Sequence, residues 1–127
     1  MRYRNLLYIL CVSVVIAGFS SCSVSARVKR ADKKYNIGEY YQAAEMYKQV
    51  YRHINSKDKA MRAHVAFNQG ECYRILNNSK ATSAYKNAIR YHHPDSIVYL
   101  HYAQVLHYQG KYKDAIKQYD IYLEAHP

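Results

Sequence analysis

Several residue types are scarce in this chain, and each scarcity limits the kinds of protein that it can be. Its 127 residues include no Trp, four Gly, two Pro and three Cys. So few turn-forming residues favour a helical chain with short connections. The three cysteines have neither metal-ligand spacing nor a pairing pattern, which argues against a disulfide framework. At this length the chain forms one domain at most.

Acidic residues are also scarce. Nine Asp and Glu stand against 19 Lys and Arg, for a formal charge of +10, and 17 of these cations follow residue 21. Such a surface favours anionic partners, namely phospholipid headgroups, acidic proteins or nucleic acid. A solvated helical exterior with a basic bias explains the same composition. Both interpretations stay open.

The first 21 residues have the pattern of a secretory signal peptide. Arg2 and Arg4 precede an uncharged, largely apolar run over 6–19, and two serines come before Cys22. The run is shorter than the roughly 20 residues of a membrane-spanning helix. Cleavage after Ser21 is therefore predicted, with export as the consequence. A plain signal peptide, cleaved without lipidation, and an uncleaved membrane anchor are the alternatives to a lipoprotein.

The segment Phe19-Ser20-Ser21-Cys22 resembles the lipobox of bacterial lipoproteins, especially the form found in Bacteroidetes. The resemblance implies that Cys22 is lipidated and attaches the mature chain to a membrane. Two or more acyl chains anchor a protein stably. Acidic residues are absent from 23–31, which by the same resemblance implies the periplasmic face of the outer membrane. A basic stretch follows the anchor and either touches anionic headgroups or forms the exposed face of a helix. It comprises Arg27, Lys29, Arg30, Lys33 and Lys34.

One pattern recurs along the rest of the chain. Gly-x-Tyr-x-x-Ala-x-x-x-Tyr begins at Gly38 and again at Gly110, and a reduced copy, Ala-x-x-x-Tyr, begins at Ala81. The steps between the motif alanines are 38 and 34 residues. A period of this length indicates one helix pair per repeat, stacked as a solenoid. The sequence therefore predicts an all-α fold of about six helices in three antiparallel pairs.

This spacing resembles the tetratricopeptide repeat (TPR). The resemblance implies a TPR domain over 22–127, with repeats at about 24–57, 62–95 and 96–127. An unrelated helical bundle is the alternative. The implied structural positions are Ala31, Gly38, Tyr40, Ala43, Tyr47, Gly70, Tyr73, Ala81, Tyr85, Ala103, Gly110, Tyr112, Ala115 and Tyr119. Ile116 and Tyr119 leave the last helix apolar on its outer side, so we expect a partner or further chain to pack there.

Residues 26–47 are similar to the N-terminus of Bacteroidetes outer-membrane lipoproteins of the OmpA family that are linked to type IX secretion. The resemblance implies downstream domains, including a β-propeller and a peptidoglycan-binding domain, that lie outside this chain. A small stand-alone TPR adaptor of another pathway is the alternative.

The sequence contains no recognisable catalytic motif. It has no Gly-rich phosphate loop, Ser-His-Asp set or paired carboxylate motif, so neither catalysis nor a cofactor is expected. His101 and His107 lack the i, i+4 spacing of a helical zinc site, so no metal is expected. Cys72 is expected to be a buried, inert thiol.

The TPR resemblance implies a partner-binding groove lined by the first helix of each pair. Its positions map to Asp32, Tyr35, His64, Glu71, Arg74, Gln104, His107 and Tyr108. Asp32 and Glu71 stand where chaperone-binding TPR proteins have Asn, which disfavours that activity. A protein partner is expected to bind at this groove. The alternative is that these residues are solvated and bind nothing. Nucleic-acid binding is the alternative function; it rests on charge alone, and export opposes it.

Overall fold

The computed structural model describes residues 23–127, so the predicted signal peptide and Cys22 lie outside the described residues. In the described range there are six helices and no strand. Residues 23–36 form α1, and then come α2 (Tyr40–Tyr51), α3 (Lys59–Ile75), α4 (Ala81–Arg90), α5 (Ile97–Tyr108) and α6 (Tyr112–Glu124). From α2 onward each helix packs against the next, and α3 also touches α5. The predicted all-α fold is confirmed.

The turns inside the helix pairs depend on residues with a left-handed backbone. Gly38 and Gly110 have φ values of 81° and 73°, and Asn77 has 51°. The amide that follows each of them donates to a carbonyl five residues earlier, at 2.8–3.0 Å. This bond ends the helix with its last carbonyls satisfied. Asn77 thus supplies in the second pair the conformation that glycine supplies in the other two.

The core is built from small residues at the helix crossings and from tyrosine rings. Ala43, Ala81 and Ala115 are at most 2% exposed, and Tyr47 and Tyr85 are fully buried. A residue and the one four positions later lie on the same side of a helix, so each alanine and its tyrosine share one face. Small crossing residues let the helices approach closely, and the rings fill the space beside them.

The segment between the first two pairs, residues 52–58, is held in place by Arg62. Its guanidinium donates to the carbonyl of buried Ile54 at 2.8 Å and lies over the rings of Tyr51 and Tyr91, 5.0 and 5.3 Å from their centroids. Asp58 then caps α3 by accepting a hydrogen bond from the amide three residues later, at 3.1 Å. The connection therefore fixes the position of the second pair against the first.

The outer side of α6 remains apolar and open. Tyr112, Ile116 and Leu123 are each about 60% exposed (60%, 58% and 59%), and Tyr119 is only partly buried because α6 is the last described helix. Over residues 23–127, every helix is too short or too polar to cross a bilayer.

Candidate partner-binding groove

Two rows of side chains run across α1, α3 and α5. The first row holds the residue after each small crossing residue, Asp32, Glu71 and Gln104, and the second row lies three residues later, at Tyr35, Arg74 and His107. Since residues three apart lie on one side of a helix, the rows are neighbours. We call the face that they form, together with His64 and Tyr108, the groove.

In the first unit, Asp32 is the centre of a polar cluster. Tyr47 donates its hydroxyl proton to Asp32 Oδ1 at 2.6 Å, and His64 Nε2 lies 3.0 Å from the same oxygen. Asn68 Nδ2 donates to Asp32 at 3.4 Å and to the Tyr47 hydroxyl at 3.3 Å. Burial raises the pKa of Tyr47, and its bond to the carboxylate raises it further. The carboxylate therefore joins α1, α2 and α3.

In the second unit, Glu71 has the same role but is more deeply buried, at 4% exposure. Its Oε1 accepts from the Tyr85 hydroxyl and lies 2.6 Å from His101 Nδ1, while Oε2 accepts from Arg74 Nη2 at 2.7 Å. Burial alone would raise the pKa of Glu71, but the bonds from His101, Arg74 and Tyr85 outweigh it and lower the pKa to about 2. An ionised carboxylate only accepts, so His101 Nδ1 carries the proton.

The two clusters follow one repeated pattern. A carboxylate on the first helix accepts from the tyrosine 14 or 15 residues later and contacts the next unit two residues before its small crossing residue. That contact residue is Asn68 in one case and His101 in the other. Neither was identified from the sequence as a groove residue. The sequence signal for them is their shared position, two residues before the small crossing residues Gly70 and Ala103.

The third unit departs from this pattern. Gln104 occupies the position of the carboxylates, and across the described residues no hydrogen bond joins it to Tyr119, the equivalent tyrosine. Gln104 is half-buried, and His107 and Tyr108 beside it are exposed. His107 packs edge-on against Tyr112, with ring centroids 5.4 Å apart. The groove is thus held by internal bonds in its first two units and presents its aromatic side chains to solvent in the third.

A cleft of about 320 Å³ opens between the second and third units. It is lined by Arg74 of α3, by Val105 and the 86% exposed Tyr108 of α5, and by the turn residues 77–79. Arg74 gives one Nη to Glu71, but its buried Nε has no hydrogen-bond partner in residues 23–127. The cleft therefore combines a guanidinium group, an exposed aromatic ring and the polar side chains of the turn, a composition that suits peptide contacts.

Tyr35 extends the groove on α1. Its ring meets that of Tyr40 edge-on, at a centroid distance of 5.6 Å. Burial raises the pKa of Tyr35, and the nearby charge of Glu71 adds to the effect. Tyr35 therefore lies within the electrostatic reach of the second cluster.

Cys72 and His93, two further residues of types that often act in catalysis or metal binding, are engaged in packing. Burial raises the pKa of Cys72 to about 12, so its thiol is protonated near neutral pH. His93 stacks on Phe67, with centroids 4.2 Å apart. Within residues 23–127, no three His, Cys, Asp or Glu side chains are grouped as a metal site would need.

Comparison with known proteins shows the fold but not a family. No protein-family model and no curated protein sequence matches the chain. Among solved structures, the second TPR domain of Spaghetti (RPAP3), bound to the HSP90 peptide SRMEEVD, is similar, with a TM-score of 0.69. The two are 17% identical, and the match covers 82% of this chain and 87% of that chain. The chain therefore has the tetratricopeptide-repeat fold.

Proposed function

We propose that the groove binds an extended segment of a partner protein. The cleft between the second and third units carries this proposal, because both an almost fully exposed Tyr108 and Arg74 line it. Exposed tyrosines and arginines are enriched where proteins bind one another. The similar RPAP3 domain holds a peptide, which supports the same use of the fold here.

The charges of the groove indicate what kind of segment would bind. The peptide in the RPAP3 structure contains two Glu and ends in Asp. This chain has carboxylates at Asp32 and Glu71, and the Arg74 charge is already paired with Glu71. An acidic tail would therefore find little uncompensated positive charge. A segment without an acidic tail and with an apolar side chain that packs on the exposed Tyr108 ring fits better.

A pair of tyrosine variants tests the groove. Tyr108 and Tyr41 are 86% and 71% exposed, but Tyr41 lies on α2, outside the groove. Photo-crosslinking residues at the two positions would first identify the partner segment by mass spectrometry in producing cells. Calorimetry with that synthetic segment would then compare Tyr108→Ala with Tyr41→Ala. We expect at least about a tenfold loss of affinity for the first, the cost of removing an aromatic hot spot. Equal affinities of the two variants would place the binding surface elsewhere.

We further propose that the chain is held on the periplasmic face of the outer membrane by lipid on Cys22. The support is the signal-peptide pattern and the lipobox-like segment over 19–22. Globomycin treatment, with mass spectrometry of the mature N-terminus, tests the anchor. The expected result is a precursor that accumulates with the drug and an acylated Cys22 without it. An unmodified Cys22 in the mature protein would contradict the proposal.

Residues 26–47 resemble the N-terminus of OmpA-family lipoproteins that are linked to type IX secretion. This resemblance supports a role for the chain as a scaffold in that secretion system. Deleting the gene and measuring secreted type IX cargo in the medium tests this role. We expect secretion to fall and to return when the gene is restored. Unchanged secretion would favour an adaptor of another pathway.

A further inference from the structure

The first helix pair carries a second cleft, on a different side from the groove. It measures about 320 Å³ and is lined by Arg27 and Arg30 of α1 and by Met46, Gln49 and Val50 of α2. At about 100° per residue, the two arginines lie 60° apart on one side of α1, whereas the groove residue Asp32 projects from another. The cleft therefore forms independently of the groove.

The two guanidinium groups have no counter-charge. Both side chains are exposed, and within residues 23–127 neither takes part in a salt bridge or a side-chain hydrogen bond. Residues 1–22 contain neither Asp nor Glu, so that segment has no acid to pair with them. Two unpaired guanidinium groups side by side match the oxygens of a phosphate.

The rest of the cleft indicates which phosphate it suits. Val50, 1% exposed, and the partly buried Met46 form an apolar floor, and the Gln49 amide adds a donor at the rim. Inorganic phosphate has no apolar part to cover that floor. A phospholipid headgroup has both a phosphate and a glycerol-acyl stem.

We propose that this cleft binds the phosphate of an anionic phospholipid headgroup. Arg27 and Arg30 receive the phosphate oxygens, and the glycerol end of the lipid lies over Met46 and Val50. The site would orient the first helix pair against the membrane surface. It requires neither a peptide in the groove nor a lipid on Cys22, so it can fail or hold separately from the proposed function.

Titration of the full chain in neutral detergent with short-chain phosphatidylglycerol tests the site. The affinity of each variant is read from the backbone amide signals of α1 and α2, which all variants keep, and in the unchanged protein the Nε–Hε signals of Arg27 and Arg30 report on the two side chains directly. Arg27→Gln/Arg30→Gln should weaken binding about 30-fold, as expected for two basic residues close to an anionic headgroup. The matched control is Lys29→Gln/Lys33→Gln, which removes the same charge from a flanking side of α1, centred about 110° around the helix from the two arginines. It should change affinity by less than about threefold.

Each outcome of this titration either supports or overturns the proposed headgroup site. Loss of binding in the arginine variant alone supports the site. Equal loss in both variants would show general attraction to a basic helix and overturn it. Inorganic phosphate binding as tightly as phosphatidylglycerol would overturn the lipid assignment in favour of a free-phosphate site. If circular dichroism shows that the arginine variant does not fold, the Nε–Hε signals of Arg27 and Arg30 in the unchanged protein provide the test. Shifts of these signals with phosphatidylglycerol but not with phosphatidylcholine support the site. The absence of such shifts overturns it.

Discussion

Gly70 is a small residue in the middle of α3, where alanine would ordinarily stabilise a helix. A Cβ atom at this position would lie 2.9 Å from both Cδ1 and Cε1 of Tyr85. Carbon atoms pack at about 3.5–4.0 Å, so the ring would have to move by more than half an ångström. Tyr85 has little freedom to do so, because it is fully buried and its hydroxyl is bonded to Glu71 at 2.6 Å.

These contacts set the size of the effect of Gly70→Ala. The substitution gains about 1 kcal/mol of helix propensity. Overpacking the core costs about 1–3 kcal/mol, and displacing the Tyr85 hydroxyl weakens a hydrogen bond to a charged group that contributes about 1.5–3 kcal/mol. The free energy of unfolding should therefore fall by about 2 kcal/mol. For about 100 folded residues this lowers Tm by roughly 9 °C.

Thermal melts followed by circular dichroism measure this change, and a second background tests its cause. Tyr85→Ala removes all three ring atoms that the new Cβ would meet, namely Cδ1, Cε1 and Cζ. In that background, Gly70→Ala should be neutral or should raise stability by up to about 1 kcal/mol. The steric explanation fails if Gly70→Ala raises Tm in the otherwise unchanged protein. It also fails if the cost is the same in both backgrounds.

Three further predictions concern the core, the groove and the buried carboxylate. Ala115→Leu should lower the free energy of unfolding by about 1–3 kcal/mol, because Ala115 is 2% exposed at a helix crossing; a thermal melt like that of the unchanged protein would contradict the repeat register. His107→Ala should leave Tm nearly unchanged, because the side chain is exposed, while weakening the partner segment in calorimetry; full affinity would remove His107 from the binding surface. Since the folded state lowers the pKa of Glu71 from 4.5 to about 2, the stability that this carboxylate provides is present above pH 4.5 and is lost as the pH falls towards 2. Glu71→Gln should flatten that part of an acid-unfolding curve, and equal slopes would mean that other groups cause the acid dependence.

The repeat architecture could be predicted from the sequence because it depends on local features. A glycine or asparagine at a turn is dictated by backbone conformation, and Ala43 and Tyr47 share a face through the period of the helix alone. Neither inference needs knowledge of which distant residues meet. The same reasoning gives the helix order and explains why the second turn works with Asn77 instead of glycine.

The polar clusters could not be predicted in this way, because each depends on three helices meeting. Asp32 was assigned to the groove by position, but its bonds to Tyr47 and Asn68 follow only from the packing of α1 against α2 and α3. Glu71 shows the consequence most clearly, since it lies in the groove row yet is buried and joins α3, α4 and α5.

A substitution of Glu71 would therefore change stability and binding together, because one carboxylate supports the stack and sets the charge of the groove. Groove positions that are exposed and outside the clusters avoid this ambiguity. Tyr108 is the clearest of them: it is 86% exposed, and among the described contacts its ring meets only that of His107, with centroids 6.3 Å apart. A loss of affinity in Tyr108→Ala at constant Tm can then be assigned to a lost contact with the partner. The same loss of affinity in a Glu71 variant could not be assigned to a lost contact, because loosening of the second unit would also weaken binding.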